Sequence, residues 1–380
     1  MLLSVVILNY NVKYFLDACL QSVQKAINDI DAEIIVADNN STDGSEAYFS
    51  NKYPGIKFLY FDKNHGFAKA NNLAVKHAQG KYLLILNPDT LVSEDSFEKL
   101  LSFAKTKEKM GIVGVKFIDG TGRFLPESKR GVPTPIVAFS KFVGLYKFFK
   151  FAPFNRYYAC HLKENETGKA DILTGAFMFM EKSVFDEVGG FDERYFMYGE
   201  DIDFSYTVLQ TGRNNYYFHQ TKILHFKGES SRKDKKYAQR FFDTTFQFYE
   251  KHFRSFPVSK FLIKSFIKLW LKFRIFSDQN ETSKNFINSI FYVGKDTEKL
   301  QRLKNKFPDI RHQKDLKFIV ENKEKFGMSK LIFDTESFKD IFDLMEKLKS
   351  ESVSFRFIPD NRNFFIGSDT KDGLGEVDFY

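Results

Sequence analysis

Three carboxylates lie within four positions in the segment Gly199-Glu200-Asp201-Ile202-Asp203. At a helix start, Glu200 and Asp203 would share one face near the positive end of the helix dipole, and Asp201 would point toward whatever lies in front of the helix. Crowded carboxylates raise one another's pKa, which suits a group that accepts a proton from a substrate hydroxyl. The segment therefore predicts a general base, while a solvated and well-capped helix start remains the ordinary alternative.

A second chemical signal is Asp89, in Asn87-Pro88-Asp89 after an apolar run. Mg²⁺ and Mn²⁺ prefer oxygen ligands and usually take one or two carboxylates together with substrate phosphates. Asn87 could add a carbonyl oxygen but no charge. His225 follows another apolar segment and could ligate the same metal or contact a phosphate. A turn residue at Asp89 and a structural histidine at His225 are the alternatives for each residue taken alone.

The N-terminal part of the chain predicts a scaffold that could bring these residues together. Near-continuous apolar strands alternating with helices indicate a parallel sheet covered on both faces, and such sheets bind ligands at the carboxyl ends of their strands. The predicted strands are Leu2–Tyr10, Glu33–Ala37, Ile56–Phe61 and Tyr82–Leu86, and the predicted helices are Tyr14–Ile30, 44–52 and Phe67–Ala78.

Polar residues follow three of these predicted strands. They are Asn9 and Asn11 after the first, Asp38 to Asn40 after the second, and Asn87 and Asp89 after the fourth. A single strand end of this kind would be explained by turn formation, because Asn and Asp are common turn residues. Three ends at one edge of a sheet predict a binding site.

The rest of the chain predicts further elements and a second unit. Residues 111–118 and 171–181 are typical of strands, 241–276 of helix, and the polar segment 277–285 of a linker. A new alternation of strands and helices then begins, which predicts three parts. These are a domain over 1–255, a basic helix with linker over 256–285, and a small α/β domain over 286–380.

Composition limits the compartment and the partners. The 380 residues are 43% hydrophobic with a formal charge of +8, so a sizeable core is available and an anionic partner is favoured. Two cysteines, Cys19 and Cys160, predict neither a disulfide framework nor a zinc site and fit a reducing compartment. We expect no signal peptide and no transmembrane helix.

One segment suggests contact with a membrane. In Phe256 to Phe276 four lysines recur every fourth residue among Phe, Leu, Ile and Trp side chains; they are Lys260, Lys264, Lys268 and Lys272. This spacing fits a helix lying in the headgroup region of a bilayer, and equally a helix packed between two domains with its lysines in water.

Several segments in order resemble family 2 glycosyltransferases, in particular the rhamnosyltransferase-like branch. The similarity runs over roughly residues 3–250, where the order and spacing of the segments agree. The segments are Val5–Asn11, Val36–Ser45, Asn64–Asn72, Leu86–Thr90, Leu173–Ala176 and Gly189–Asp203.

The resemblance implies an α/β fold of the GT-A type with a Rossmann-like mixed sheet, followed by the small C-terminal α/β domain, and inversion at the anomeric carbon. Asp201 matches the general base, supported by Glu200 and Asp203. Asp89 matches the metal-binding carboxylate, and His225 matches a position that assists the metal or phosphates. The implied donor-binding residues are Asn9, Asn11, Asp38, Asn40, Asn64, Asn71, Asn87 and Gly175.

The implied cofactor is a divalent metal, Mn²⁺ or Mg²⁺. The implied partners are a nucleotide-sugar donor, a glycan or polyprenyl-linked acceptor, and an anionic membrane surface, with no nucleic acid. We therefore expect a cytoplasmic enzyme of polysaccharide biosynthesis, peripheral at the inner face of the cell membrane. Asn87 departs from the usual first Asp of the metal motif, and Asn71 stands where many members have Arg, which bears on the identity of the donor.

Two other functions remain open from the sequence. A sugar-nucleotide pyrophosphorylase also has an α/β core and uses a metal, but it begins with a Gly-rich loop where this chain has Leu8-Asn9-Tyr10-Asn11-Val12. A non-catalytic, membrane-associated scaffold or sugar-nucleotide-binding protein is conceivable because of Asn87. The intact carboxylate segment at 200–203 argues against it.

Overall fold

The computed structural model describes residues 1–134, 137, 157–226, 235–253, 287–349, 353–369 and 375–380, except for the side chains of 235–239, 241 and 242. The predicted linker 277–285 and the basic helix at 256–276 lie outside the described residues.

The N-terminal part folds as a nine-stranded sheet with helices packed on it. Its strands are β1 (Leu3–Asn9), β2 (Ala32–Asp38), β3 (Lys57–Tyr60), β4 (Tyr82–Leu86), β5 (Thr90–Val92), β6 (Met110–Ile118), β7 (Gly168–Lys169), β8 (Phe177–Glu181) and β9 (Asn214–His225). Its helices are α1 (Lys13–Ala26), α2 (Ser45–Phe49), α3 (Gly66–Val75), α4 (Ser96–Lys105), α5 (Lys182–Glu187), α6 (Glu200–Gln210) and α7 (Lys235–His252). A short 3₁₀ turn spans Pro126–Ser128.

The strand order β3-β2-β1-β4-β8-β6-β9-β5, with β7 beside β9, makes the sheet mixed. β3, β2, β1 and β4 are parallel, as predicted, and the residues of β1 and β4 are buried throughout. β8 runs antiparallel to β4, and β5 runs antiparallel to β9. The carboxyl ends of β1, β2, β4 and β9 therefore lie at the same edge as the start of β8.

The C-terminal part folds around a six-stranded sheet of order β11-β10-β12-β13-β14-β15. Its strands are β10 (Ser289–Val293), β11 (Arg311–Gln313), β12 (Ser329–Asp334), β13 (Ser354–Ile358), β14 (Phe364–Ser368) and β15 (Glu376–Phe379). Its helices are α8 (Thr297–Lys306), α9 (Leu316–Glu321) and α10 (Phe338–Leu348), with a 3₁₀ turn at Lys323–Phe326. The first four strands are parallel and the last two pair antiparallel.

The two sheets share a hydrophobic core. Phe226, which follows β9, contacts Phe15 of α1 and Phe357 of β13, with ring centroids 5.1 and 5.9 Å apart. Leu91 and Leu224 belong to the same fully buried cluster as the apolar face of the C-terminal sheet. Burial of this shared apolar surface stabilises the association of the two parts.

Buried polar contacts strengthen the same junction. The carboxylate of Asp17 in α1 is fully buried and accepts two hydrogen bonds from the Arg362 guanidinium, at 2.5 and 2.9 Å. The carboxylate of Glu94 accepts the first main-chain N–H groups of α10 from Phe338 and Lys339, at 2.7 and 3.2 Å. This caps a helix of one part with a side chain of the other. Within the described ranges, no helix has the length and apolar character needed to cross a membrane.

Candidate active site

The ends of β1 and β2 are joined by the side chains of Asn9 and Asp38. The Asn9 amide donates to Asp38 Oδ2 at 2.6 Å and to Ser45 Oγ at 3.0 Å, and the main-chain N–H of Ser41 donates to Asp38 Oδ1 at 2.7 Å. Parallel pairing sets Asn9 directly opposite Asp38. Asn9 Oδ1 is buried and has no hydrogen-bond partner among the described residues. This corner therefore combines a fixed carboxylate with an acceptor atom left for another group.

The loops above this corner are held by asparagines. Asn11 and Asn40 adopt left-handed backbone conformations with φ of 58° and 64°, which Asn tolerates better than most residues. Asn11 Oδ1 accepts from the Thr42 main-chain N–H at 2.7 Å, and both Asn11 and Asn40 are exposed. Asn64 Oδ1 accepts from the Gly66 main-chain N–H at 2.8 Å. These residues shape the rim of the edge.

Gly66 begins α3 where another segment passes very closely. Its φ is +76°, and a Cβ at this position would lie 2.4 Å from the carbonyl oxygen of Phe196. The next residue, Phe67, donates its main-chain N–H to that same oxygen at 2.7 Å. Only glycine permits this approach, which links the start of α3 to the loop that precedes α6.

Asn71 lies one turn further along α3 and is fully buried. Its amide donates back to the Phe67 carbonyl at 3.0 Å, and its Oδ1 has no hydrogen-bond partner within the described part of the chain. Asn87, at the end of β4, is half-buried and binds the start of β8 through its main-chain N–H, 3.0 Å from Ala176 O.

The predicted metal ligands Asp89 and His225 lie side by side. Asp89 Oδ1 is 3.3 Å from His225 Nε2, because Thr90 pairs with His225 across β5 and β9. Asp89 is 4% exposed, and its Oδ1 is buried without a hydrogen-bond partner in the described ranges. A carboxylate oxygen left in this way beside an imidazole nitrogen suits a divalent cation.

The protein contributes few ligands to such an ion. Among the described residues, no group of three or more His, Cys, Asp and Glu side chains is arranged to hold a metal. Asp89 and His225 would therefore leave most coordination positions to water and to the phosphates of a donor. That division is the usual one for Mg²⁺ and Mn²⁺ at phosphate sites.

The predicted carboxylate segment begins a helix. Gly199 caps α6 with φ of +84°, and a Cβ there would lie 3.1 Å from Thr244 Cβ of α7. Glu200 is buried, and its Oε2 has no hydrogen-bond partner within the described residues. Burial, and secondly the charge of Asp201, raise the pKa of Glu200 from 4.5 to about 8. At neutral pH its side chain is therefore largely uncharged.

Asp201 is held between α6 and the segment before β8. Its Oδ2 lies 2.5 Å from Arg130 Nη2 and 3.3 Å from the Gly175 main-chain N–H, and its Oδ1 accepts from the Ile202 main-chain N–H at 2.8 Å. Its side chain is 14% exposed. The carboxylate thus has a fixed orientation and a solvent-accessible surface.

Asp203 belongs to a different contact set. Its carboxylate binds Lys251 Nζ and His252 Nε2 of α7, each at 2.7 Å, and lies 3.4 Å from the hydroxyl of Tyr195. These bonds tie α6 to α7. The catalytic support expected of Asp203 stays a prediction, and in the structure its visible role is to fix the position of α6.

Main-chain contacts unite these groups at one edge of the sheet. The segment before β8 touches Asp201 through Gly175, and it touches Asn87 through Ala176. Asp89 follows Asn87 by two residues, and β4 is the direct neighbour of β1, which ends at Asn9. The structure therefore brings the predicted donor, metal and base residues to the same end of the same strands.

One residue of this edge was missed by the sequence reasoning. Arg130 pairs with the predicted base from 71 positions away, and no motif marked it. Asn39 was expected among the polar residues that follow the second strand, but not as a donor-binding residue. It is buried, donates to Asn64 Oδ1 at 3.0 Å and accepts from the His65 main-chain N–H at 2.8 Å.

Comparisons with known proteins identify a family model and relatives that are similar to this chain. Residues 4–189 match the family model described as glycosyl transferase family 2. The N-acetylglucosaminyl-diphospho-decaprenol L-rhamnosyltransferase of Mycobacterium tuberculosis is 28% identical over 243 residues, which cover 61% of this chain and 78% of that protein. The rhamnosyltransferase WbbL of Escherichia coli K12 is 26% identical over 178 residues, 44% of this chain and 63% of that one.

Among solved structures, the mannosyltransferase PcManGT from Pyrobaculum calidifontis, in complex with GDP-Man and Mn²⁺, is similar with a TM-score of 0.46 and 16% identity. The match covers 70% of this chain and 69% of that one. The family match and the rhamnosyltransferase relatives confirm the resemblance found in the sequence. The chain therefore belongs to glycosyltransferase family 2, in its rhamnosyltransferase-like branch, and is a glycosyltransferase with a GT-A domain followed by a further α/β region.

Proposed function

We propose that this enzyme transfers a sugar from a nucleoside-diphosphate sugar to a glycan or polyprenyl-linked acceptor in the synthesis of a cell-surface glycan, with inversion at the anomeric carbon. The observation that carries the proposal is the meeting of Asp38, Asp89 and Asp201 at one edge of the sheet. The name of the M. tuberculosis relative, which acts on a decaprenol-diphosphate sugar, supports the acceptor class.

The donor would bind where β1 and β2 end. The Asp38 carboxylate is oriented by Asn9 and by the Ser41 main-chain N–H, and can accept hydrogen bonds from a base or ribose. The unpartnered oxygens of Asn9 and Asn71 offer further acceptors, and a buried polar atom gains most from a ligand that pairs it. Donor binding would then rest on groups that are already in place.

Asp201 would take the proton of the acceptor hydroxyl. As that oxygen attacks the anomeric carbon, the bond from the sugar to the nucleoside diphosphate breaks, and the leaving group departs with the electron pair. The fixed position of Asp201 aligns the proton acceptor before the reaction begins. Glu200 would be largely uncharged at neutral pH, so it would not compete with Asp201 for the positive charge of Arg130.

A divalent cation would be held by Asp89 and His225, whose side chains fit such an ion. When bound, it neutralises charge on the diphosphate leaving group. The test is Mn²⁺-dependent protection of the enzyme against thermal unfolding in the presence of a nucleoside diphosphate.

The transfer itself is tested with a panel of UDP-, dTDP- and GDP-sugars and a polyprenyl-diphosphate-linked sugar as acceptor. Asp201→Asn should abolish transfer while donor binding remains. Asp186→Asn is the matched control, because Asp186 is an exposed carboxylate paired with Lys182 on α5. Donor binding without transfer by the unaltered enzyme would support the non-catalytic alternative. Release of pyrophosphate from a sugar phosphate and a nucleoside triphosphate would support the pyrophosphorylase.

We also propose a cytoplasmic enzyme that is peripheral at the inner membrane face, on the basis of the lysine spacing in Phe256 to Phe276. Flotation with anionic liposomes tests this, using a variant with Lys260, Lys264, Lys268 and Lys272 changed to Glu. If that variant floats as well as the unaltered enzyme, this segment is not the membrane contact.

A further inference from the structure

Arg130 is the one guanidinium in the described residues that contacts Asp201, and hydrogen bonds hold both its main chain and its side chain. Its main-chain N–H and carbonyl both pair with Ile172, at 2.8 and 2.9 Å, which forms a bridge to the segment leading into β8. Its Nη2 also donates to the Leu173 carbonyl at 3.2 Å, and its side chain is 12% exposed. The guanidinium is therefore fixed before any substrate binds.

The contacts of Asp201 distinguish its two oxygens. Oδ2 accepts from both Arg130 Nη2 and the Gly175 main-chain N–H, whereas the one donor to Oδ1 among the described residues is the Ile202 main-chain N–H. An ionised carboxylate has about four acceptor positions, two on each oxygen. Oδ2 is thus fully engaged, and Oδ1 retains one position for an incoming proton.

The charges around this carboxylate also matter. Glu200 is the neighbouring acid on the same helix turn, and Arg130 faces the pair from the opposite segment, with Glu127 and Tyr157 beside the guanidinium. Burial raises the pKa of Glu200, and the positive charge of Arg130 opposes that rise. Without Arg130, the buried Glu200 would lose the cation that opposes this rise and would hold its proton more tightly.

We propose that Arg130 is a positioning residue for the transfer reaction: it holds Asp201 by Oδ2 and presents Oδ1 to the acceptor hydroxyl. This inference rests on the proposed function, since it assigns Asp201 the role of base. It requires that loss of Arg130 damage the reaction step and leave the donor corner at Asn9 and Asp38 intact. A merely structural arginine would instead affect folding and donor binding together.

The experiment compares Arg130→Met, Arg130→Lys and Arg130→Ala in the full-length enzyme. A displacement of about 1 Å at a reacting group can reduce a rate about 100-fold, so Arg130→Met should lower kcat for transfer by about that factor. The affinity for the nucleoside diphosphate should stay within about twofold of the unaltered enzyme. The kcat of Arg130→Lys, which keeps the charge, should lie between those of Arg130→Met and the unaltered enzyme.

Rescue separates positioning from folding. Added guanidinium ion at low, non-denaturing concentration should restore part of the transfer rate of Arg130→Ala, and should restore none in Arg130→Ala combined with Asp201→Asn. Arg213→Met is the matched control, because Arg213 pairs with the partly exposed Glu187 beyond the opposite end of α6. It should leave kcat and the affinity for the nucleoside diphosphate unchanged.

Two results would overturn the inference. One is transfer by Arg130→Met within about threefold of the unaltered enzyme. The other is loss of donor binding in parallel with transfer in all three variants, without rescue by guanidinium. Failure of the unaltered enzyme to transfer sugar from any donor would contradict the proposed function, and is distinguishable because it needs no variant.

Discussion

Replacing Glu200 with Gln should make the enzyme more stable at alkaline pH. The buried carboxyl has a folded-state pKa of about 8, against 4.5 for an unperturbed Glu. Between these values the folded state binds a proton that the unfolded state has released. Stability therefore falls as pH rises through that interval, because a proton is bound more tightly by the folded state. Gln has nearly the same shape and never ionises.

The size of the effect follows from the interval. One pKa unit corresponds to about 1.4 kcal/mol. Relative to acid pH, the raised pKa of Glu200 therefore lowers the free energy of unfolding by roughly 3 kcal/mol at pH 7 and by roughly 5 kcal/mol above pH 8. Below pH 4.5 the carboxyl is protonated in both states, and the cost disappears. The Gln variant should thus match the unaltered enzyme in acid and exceed its stability progressively toward pH 8.

Thermal unfolding at pH 5 and at pH 8.5 measures this difference. For a chain of this length 1 kcal/mol corresponds to roughly 1–2 °C, so the midpoint should rise by several degrees at pH 8.5 and hardly at all at pH 5. Glu187→Gln serves as the control, because Glu187 is a partly exposed acid paired with Arg213. An equal gain at both pH values, or a larger gain in acid, would refute the assignment of a buried, protonated Glu200.

Three further results are expected. Arg362→Met should lower the free energy of unfolding by about 3 kcal/mol in urea titrations, because it leaves the buried carboxylate of Asp17 without its main cation. Burial raises the pKa of Asp17, but hydrogen bonds from Arg362, Tyr48 and Tyr53 together lower it below its usual value, so this loss should be present at neutral pH and diminish as the pH falls below about 4. Gly66→Ala should reduce both the unfolding midpoint and donor binding, since its Cβ would meet the Phe196 carbonyl oxygen. Asp89→Asn should weaken Mn²⁺ binding in the presence of a nucleoside diphosphate at least about tenfold, measured by electron paramagnetic resonance of free Mn²⁺.

The donor edge could be predicted because its information is local. The strands at Leu3–Asn9, Ala32–Asp38 and Tyr82–Leu86 are buried apolar runs, and each is followed at once by its polar residue. Parallel pairing then brings Asn9 and Asp38 together without further input. Helix limits were less accurate, since the predicted Tyr14–Ile30 is Lys13–Ala26 in the structure.

The surroundings of the base could not be predicted in the same way. Arg130 lies outside any regular strand or helix of the described residues, and its pairing with Asp201 depends on a bridge to Ile172. Nothing in the periodicity of the sequence marks such a bridge. The hydrogen bonds from α7 to Asp203 are likewise tertiary contacts, because Lys251 and His252 lie 48 and 49 positions further along the chain. Helical spacing set Asp203 on one face with Glu200, and the expected role beside Asp201 came from the family resemblance.

The shared core gives the C-terminal region a direct bearing on the candidate metal site. Asp89 directly precedes β5 and His225 ends β9, and the strand residues Leu91 and Leu224 are buried in the same cluster as the C-terminal sheet. Phe226 donates its main-chain N–H to the Asp89 carbonyl at 3.0 Å while its ring packs on the second sheet. In the described part of the chain, β5 pairs with β9, and the Val92 main-chain N–H donates to Ser22 Oγ of α1 at 3.2 Å. Packing from α1 and from the C-terminal sheet therefore holds the strand that follows Asp89, and the position of the candidate metal ligands depends on both parts of the chain.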